Sequence, residues 1–247
     1  MFFSIQEGLL WIEKMFFPID ESSLSIRKMF FQSTKVLKRR SSKLVIYFQL
    51  RFCQSLLGMS NSSFIITYSY TMAKFFESLT DHIKDFIAEQ KMFFTATAPD
   101  EGRVNLSPKG TDSFRCLDNK TVAYLDLTGS GNETAAHIQQ NGRMTFMFCS
   151  FTEKPLILRL YGQGEVVKKD SLRWHELHPY FPNYSGGRQI IVLHIESVQT
   201  SCGFGIPIYE LQSERDRLTV WTKNEPIEAY WKEKNQVSID GLATNIL

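Results

Sequence analysis

The chain has 247 residues, of which 43% are apolar and 22% charged, the composition of an ordinary globular protein and enough for one domain plus an extension. The formal net charge of +2 conceals an asymmetry: residues 1–71 carry 9 basic and 4 acidic side chains, whereas residues 72–247 carry 19 and 22, net −3. A slightly acidic domain lacks the basic face needed to neutralise a run of phosphates, which argues against nucleic acid as a partner.

Residues 1–71 are rich in Phe, Ser and Lys and repeat Met-Phe-Phe at Met1, Met15 and Met29, too short a unit to define a fold. The basic run Lys35–Lys43 has the character of a nuclear or organellar address, but Glu7, Glu13, Asp20 and Glu21 oppose a transit peptide. The segment is read as a disordered or artefactual extension. Its longest apolar stretches fall short of the roughly 20 residues of a spanning helix. No membrane span or secretory leader is expected, and the location expected is cytoplasmic.

From Phe75 to Gln90 the apolar residues Phe75, Leu79, Ile83, Phe86 and Ile87 recur at steps of three and four, which predicts a surface helix. Met92–Thr97 reads as a first strand and Arg103–Leu106 as a second, followed by a turn at Ser107-Pro108-Lys109-Gly110. Thr121–Leu127 is a third strand. It breaks at Gly129-Ser130-Gly131-Asn132, after which Thr134–Gln140 forms a helix closed by Asn141-Gly142. Met144–Phe151 and Leu156–Val167 make a long hairpin whose second strand crosses the sheet centre. A short helix at Arg173–Tyr180, a long strand at Gln189–Val198, a strand at Ile206–Leu211 and helical composition over Glu225–Lys234 complete the order. Short strands linked by turns, with few helices between them, favour a closed or partly closed antiparallel barrel.

The four cysteines, Cys53, Cys116, Cys149 and Cys202, form no C-x-x-C pair and read as reduced, mostly buried thiols of an intracellular protein. His175 and His178 stand at a spacing that could ligate a metal, but the arrangement also arises by chance and no metal is expected. His194, within an apolar strand, reads as a core residue with a hydrogen-bond partner. Neither a Gly-x-Ser-x-Gly elbow nor a His-Glu-x-x-His occurs, so hydrolysis has no support, and no catalytic side chain is assigned. Trp174, Trp221, Tyr230 and Trp231 receive no role, since aromatics mostly pack cores or interfaces.

Taken alone, Ser107–Gly110 is a turn with a solvated lysine and Gly129-Ser130-Gly131 is a weak phosphate signal. Their ordered combination says more. Arg103-Val-Asn-Leu-Ser-Pro-Lys-Gly110, Val122–His137 and Arg143-Met-Thr-Phe-Met-Phe148, continued by Leu158–Gly164, Gln199–Gly203 and Ser238–Leu242, resemble the pyridoxamine-5′-phosphate-oxidase-like family, in particular its flavoproteins distinct from the vitamin-pathway oxidase. The likeness covers nearly all of residues 72–247 and none of 1–71.

The resemblance implies a mainly β (α+β) fold, an antiparallel split β-barrel with flanking helices, and an FMN at the interface of a homodimer. Carried over by position, it implies phosphate contacts from Lys109, Ser130, Asn132 and Thr134, with Arg103 and Ser107 near the flavin or ribityl chain. Physical chemistry agrees, because an ammonium, small hydroxyls and free N–H groups at a helix start all stabilise a phosphate dianion. One departure stands out: Asn132-Glu133-Thr134 replaces the Ser-Arg-Lys of the vitamin-pathway enzyme, placing an acid where that enzyme has a cation. The Arg-containing C-terminal substrate motif has no match either, so the resemblance does not extend to pyridoxamine phosphate as substrate. The activity implied is an FMN-dependent oxidoreductase acting on a small molecule. A flavin- or haem-binding protein without turnover, or an enzyme variant using a deazaflavin coenzyme, stays open as an alternative.

Overall fold

The computed structural model describes residues 73–247 in full and, by backbone, the strands within 33–40, 43–50 and 63–68. The chain divides into two units at Met72 and Ala73. In the first, β1 (Ser33–Arg40), β2 (Lys43–Leu50) and β3 (Ser63–Tyr68) form an antiparallel meander, and most of the basic run lies on β1. The Met-Phe-Phe copies lie outside the described residues.

The second unit contains β4 (Ala73–Phe76), α1 (Asp81–Glu89), β5 (Phe93–Thr97), β6 (Asn105–Lys109), β7 (Phe114–Cys116), β8 (Thr121–Leu127), α2 (Glu133–Asn141), β9 (Arg143–Cys149), β10 (Ile157–Lys168), α3 (Leu172–Leu177), β11 (Gly187–Ser201), α4 (Arg217–Asn224) and α5 (Ile227–Lys234). The strands form one antiparallel sheet in the order β6-β5-β9-β10-β11-β8-β7, with β4 added to the far half of β11. As expected, β9 and β10 form a hairpin and β10 is the middle strand.

Contacts between opposite ends of that order reveal the curl. Phe93 on β5 packs its ring 4.9 Å from Phe114 on β7 and 5.5 Å from Tyr124 on β8. A flat sheet would hold these strands far apart, since neighbours lie about 4.8 Å from one another. The sheet is therefore rolled into an antiparallel split barrel flanked by helices. Its interior is filled by Phe93, Tyr124, Phe146, Phe148, Leu158, Leu160, Ile191 and Leu193, with Leu79, Ile83 and Ile87 of the α1 region packed against them.

A second core lies on the other side of the sheet, where Ala123, Leu125, Ile190 and Val192 meet Trp174, Leu177 and Phe181. Burial on both faces explains why β8 and β11 are nearly continuous apolar runs instead of alternating ones.

Several expectations need correction. The helix expected from Phe75 begins only at Asp81, where Thr80 accepts from the Ile83 amide as an N-cap, and Ala73–Phe76 is a strand because it can pair with Val198–Ser201. The turn expected at Ser107–Gly110 is displaced: Ser107, Pro108 and Lys109 belong to β6, and the chain turns at Thr111 and Asp112, both at positive φ. Pro108 fits there because β6 is an edge strand. Ile206–Leu211 is irregular, with Pro207 in its midst and no partner strand. The helix expected over Glu225–Lys234 is present as Ile227–Lys234, and a further helix, Arg217–Asn224, precedes it. His194 is an exposed residue of β11 whose Nε2 lies 3.2 Å from Glu165, not a core histidine. By contrast, α2 ends where Asn141-Gly142 placed it, with Gly142 at φ 69°, a left-handed position that glycine adopts without strain.

Among the described residues no helix is long and apolar enough to cross a membrane, and no three His, Cys, Asp or Glu side chains gather as metal ligands. His178 stacks on Trp174 with ring centroids 4.7 Å apart.

Candidate functional site

Alternation along β6 puts Asn105, Ser107 and Lys109 on one face, half-buried, while Leu106 and Pro108 point to the other. The curl brings that face against the end of β8 and the start of α2. A cleft of about 640 Å³ results, lined among others by Ser107, Lys109, Ser130, Thr134 and Arg188. Four of the six residues expected at a ligand, Ser107, Lys109, Ser130 and Thr134, thus share one cavity.

The other two are placed differently. Asn132 is buried behind the cleft, where its Oδ1 accepts from Gln189 at 2.7 Å and its Nδ2 has no protein partner. Arg103 lies outside the lining, largely exposed, with its guanidinium on Asp240. Glu133, the acid of the altered helix start, accepts from the Ile239 amide with both oxygens, at 3.0 and 3.1 Å.

Because the Asn132 side chain is committed to Gln189, it does not cap α2. The first amides of this nine-residue helix are left without a side-chain acceptor at the edge of the cleft. The loop before it is held firmly: the Thr128 amide and hydroxyl both donate to the Gly186 carbonyl at 2.8 Å, Trp231 Nε1 donates to Thr128 at 2.9 Å, and Asn235 donates to the Gly129 carbonyl at 3.1 Å.

Beneath the cleft lies Asp126, 1% exposed. Burial by itself would raise its pKa, but the Arg188 guanidinium, then the Lys109 ammonium and the hydrogen bonds from Arg188 and Gln189, hold the carboxyl well below the usual range. Arg188 Nε donates to Asp126 Oδ2 at 2.8 Å and its NH1 to Asn235 at 2.8 Å. Lys109 Nζ approaches Asp126 Oδ1 at 3.1 Å. The cations lining the cleft are Lys109, Arg188 and Lys234, and the carboxylates on or beside it are Asp126, Glu133 and Glu233, so the charges match in number and the positive end of α2 is what remains to attract an anion.

A chain of polar contacts runs inward from the cleft. Ser107 donates to Asn105 at 2.8 Å, Asn105 donates to Thr97 and Thr134 at 3.1 Å each, and Thr97 meets His137 Nδ1 at 3.0 Å. It holds the hydroxyls of Ser107 and Thr134 in place. Asn105, Arg188 and Lys234 were not anticipated from sequence. For Arg188 a signal existed: a cation beside Gln189-Ile-Ile-Val and an acid inside Tyr124-Leu-Asp-Leu are opposite charges set into apolar strands, and such charges persist only when paired.

The profile described as pyridoxamine 5′-phosphate oxidase matches residues 79–202, half of the chain. The chain belongs to this family. The pyridoxamine 5′-phosphate oxidase family protein ustO of Aspergillus flavus is 43% identical over 145 residues, 57% of this chain and 58% of its own length. The chain therefore spans less than two-thirds of that relative. Among solved structures, HupZ of Group A Streptococcus is 23% identical, with a TM-score of 0.41 over 49% of this chain and 91% of its own. An FAD-binding protein of Mesorhizobium loti is 11% identical, with a TM-score of 0.38 over 53% of this chain and 99% of its own. In this member of the family the uncapped helix, the buried Asp126–Arg188 pair and the β6 and α2 side of the cleft lie within the matched region.

Proposed function

We propose that this protein is an FMN-dependent oxidoreductase acting on a small molecule, with the phosphate of FMN held in the cleft between β6 and α2. The observation that carries the reading is the uncapped N-terminus of α2, opening beside Lys109, Arg188 and the hydroxyls of Ser107, Ser130 and Thr134. Unpaired amides, the positive end of a helix dipole and convergent cations are what a phosphate dianion requires. The residues that would hold it are Ser130 and Thr134 with the first amides of α2, and Lys109 across the groove. Buried Asn132 Nδ2, which has no protein partner, agrees with a donor-rich corner. FMN, when bound, supplies the hydride or electron transfer, and the protein binds, orients and shields it.

The same reading takes the protein as a homodimer, because a second chain would cover a ring system left open by so wide a cleft. It places the protein in the cytoplasm, where Cys116, Cys149 and Cys202 stay as the free thiols they are here.

One observation favours a second reading, a flavin-binding protein without turnover. Each ionisable side chain that lines the cleft is already engaged: Lys109 and Arg188 with Asp126, Glu133 with the Ile239 amide, and Lys234 with Glu233. None is left to act as a proton donor or acceptor. Flavin chemistry can proceed without one, so the two readings separate only by experiment. The full chain, incubated with FMN and desalted, is expected to retain the flavin absorption bands and to bleach with NADH or NADPH. A chain that stays colourless sinks both readings, and one that stays yellow without bleaching selects the second.

A further inference from the structure

The family match stops at residue 202, yet part of the cleft wall comes from residues beyond it. Lys234, Val237, Ser238 and Ile239 line the same cavity as the hydroxyls of β6 and α2. Residues 235–245 form a strap across this side of the molecule. Val237 bridges Ala243, and between them the Ser238 amide donates to the Leu242 carbonyl at 2.8 Å and the Gly241 amide to the Ser238 carbonyl at 2.9 Å.

The strap is fastened from two separate elements. Glu133 at the start of α2 takes the Ile239 amide, and the segment before β6 takes the next residue, with the Arg103 amide donating to Asp240 Oδ2 at 2.7 Å and the Arg103 guanidinium to Asp240 Oδ1. At its far end Gln139 donates to the Thr244 carbonyl at 2.7 Å. Gly102 permits the approach: a Cβ there would come within 2.7 Å of the Asp240 carboxylate, and its φ of 130° excludes other residues without strain. Glu133, the acid at the helix start, is therefore one anchor of the strap.

Clamped in this way, the strap holds two β-branched side chains away from any core. Val237 is 54% exposed and Ile239 68% exposed, although their backbone is tied down on both sides. Single exposed apolar residues need no explanation. Two of them lining one cavity, opposite a wall of hydroxyls and cations, divide that cavity into an anion-binding side and an apolar side.

We infer that Val237 and Ile239 are the apolar wall against which the planar ring of the ligand rests, so that the strap, not the family-wide barrel, sets which ring system is accepted. This inference rests on the FMN reading above. The polar cradle would select for phosphate and the strap for an aromatic plane.

The test compares the full chain with the double variant Val237→Ser, Ile239→Ser, using FMN, riboflavin and inorganic phosphate as probes. Both side chains are more than half exposed, so serine leaves the fold intact, which a melting curve checks. The variant is expected to lose about tenfold or more in affinity for FMN and for riboflavin, since each apolar side chain withdraws its contact area. Phosphate, measured by competition against FMN on each protein, is expected to keep its affinity. The conservative pair Val237→Ile, Ile239→Leu is expected to bind both flavins as the wild type does. Wild-type protein that binds flavin while the serine variant binds it equally well overturns this inference alone, as does a parallel fall in phosphate affinity. Wild-type protein that binds neither flavin overturns the FMN reading and the inference with it.

Discussion

Lys109 Nζ lies 3.1 Å from the buried carboxylate of Asp126, which ties the first strand of the sheet order to the strand next to last. That contact closes the barrel on the side where the cleft opens, so the ion pair serves both the fold and the site. Replacing Lys109 by Met retains the stem and removes the charge. FMN affinity, measured by fluorescence titration, is expected to fall by about 1–3 kcal/mol, the scale of a charge-assisted hydrogen bond. An unchanged affinity would remove Lys109 from the phosphate site.

Asp126 itself is predicted to be worth more to folding than Lys109. Asp126→Ala leaves Arg188 buried with only Asn235 as a side-chain partner. Breaking a buried pair from one side costs about 3–5 kcal/mol, which urea denaturation would register as a lower midpoint.

The same group gives stability a pH dependence of definite sign. The folded-state pKa of Asp126 lies below its ordinary value of 3.8, with burial opposing and Arg188 and Lys109 prevailing. Its contribution is therefore complete above that value and drains away as pH falls beneath it. The clasp at Asp240 behaves alike, its pKa lowered first by the Arg103 amide and then by the guanidinium despite some opposing desolvation. Melting temperature is expected to be level toward neutral pH and to drop below about pH 4, and Asp126→Asn is expected to flatten that drop. A drop of the same size in the variant would point to other carboxylates.

Gly102→Ala addresses the strap from the opposite side. Alanine at φ 130° is strained and its Cβ presses on Asp240, so a loss of about 1–3 kcal/mol is expected. Limited proteolysis should then cut within residues 235–245 first. A variant as resistant as the wild type would mean that the strap is held without this approach.

Burial pushes the Cys116 thiol up to about 11, with Lys84 only partly opposing, and burial likewise raises Cys149. Alkylation of Cys116 by iodoacetamide at neutral pH is expected to be slow in the folded protein and rapid after denaturation. Fast modification of the native protein would show that the α1 side of the barrel opens readily.

Much of this architecture was legible in the sequence, and the exceptions share a cause. Thr121–Leu127 and the Asn141-Gly142 stop were readable because pattern and turn chemistry are local. The misreadings at Ala73–Phe76 and Ser107–Lys109 concern strands at an edge, and the one at Ile206–Leu211 a segment that found no partner strand; in each case what decides is whether a neighbour is present and not the segment's own residues. At the site, Ser107, Lys109, Ser130 and Thr134 could be grouped because they sit beside recognisable turns and helix starts. Arg188, Asn105 and the strap could not, since each reaches the cleft through a contact more than twenty residues away in sequence.

Pro108 has one more effect. It sits on β6, which has β5 as its sole partner among the described strands, and it offers no N–H to a chain approaching from outside. An incoming strand would meet a gap in the ladder, which discourages growth by strand addition at this rim. The residue that disguised β6 as a turn thus also guards its unpaired rim.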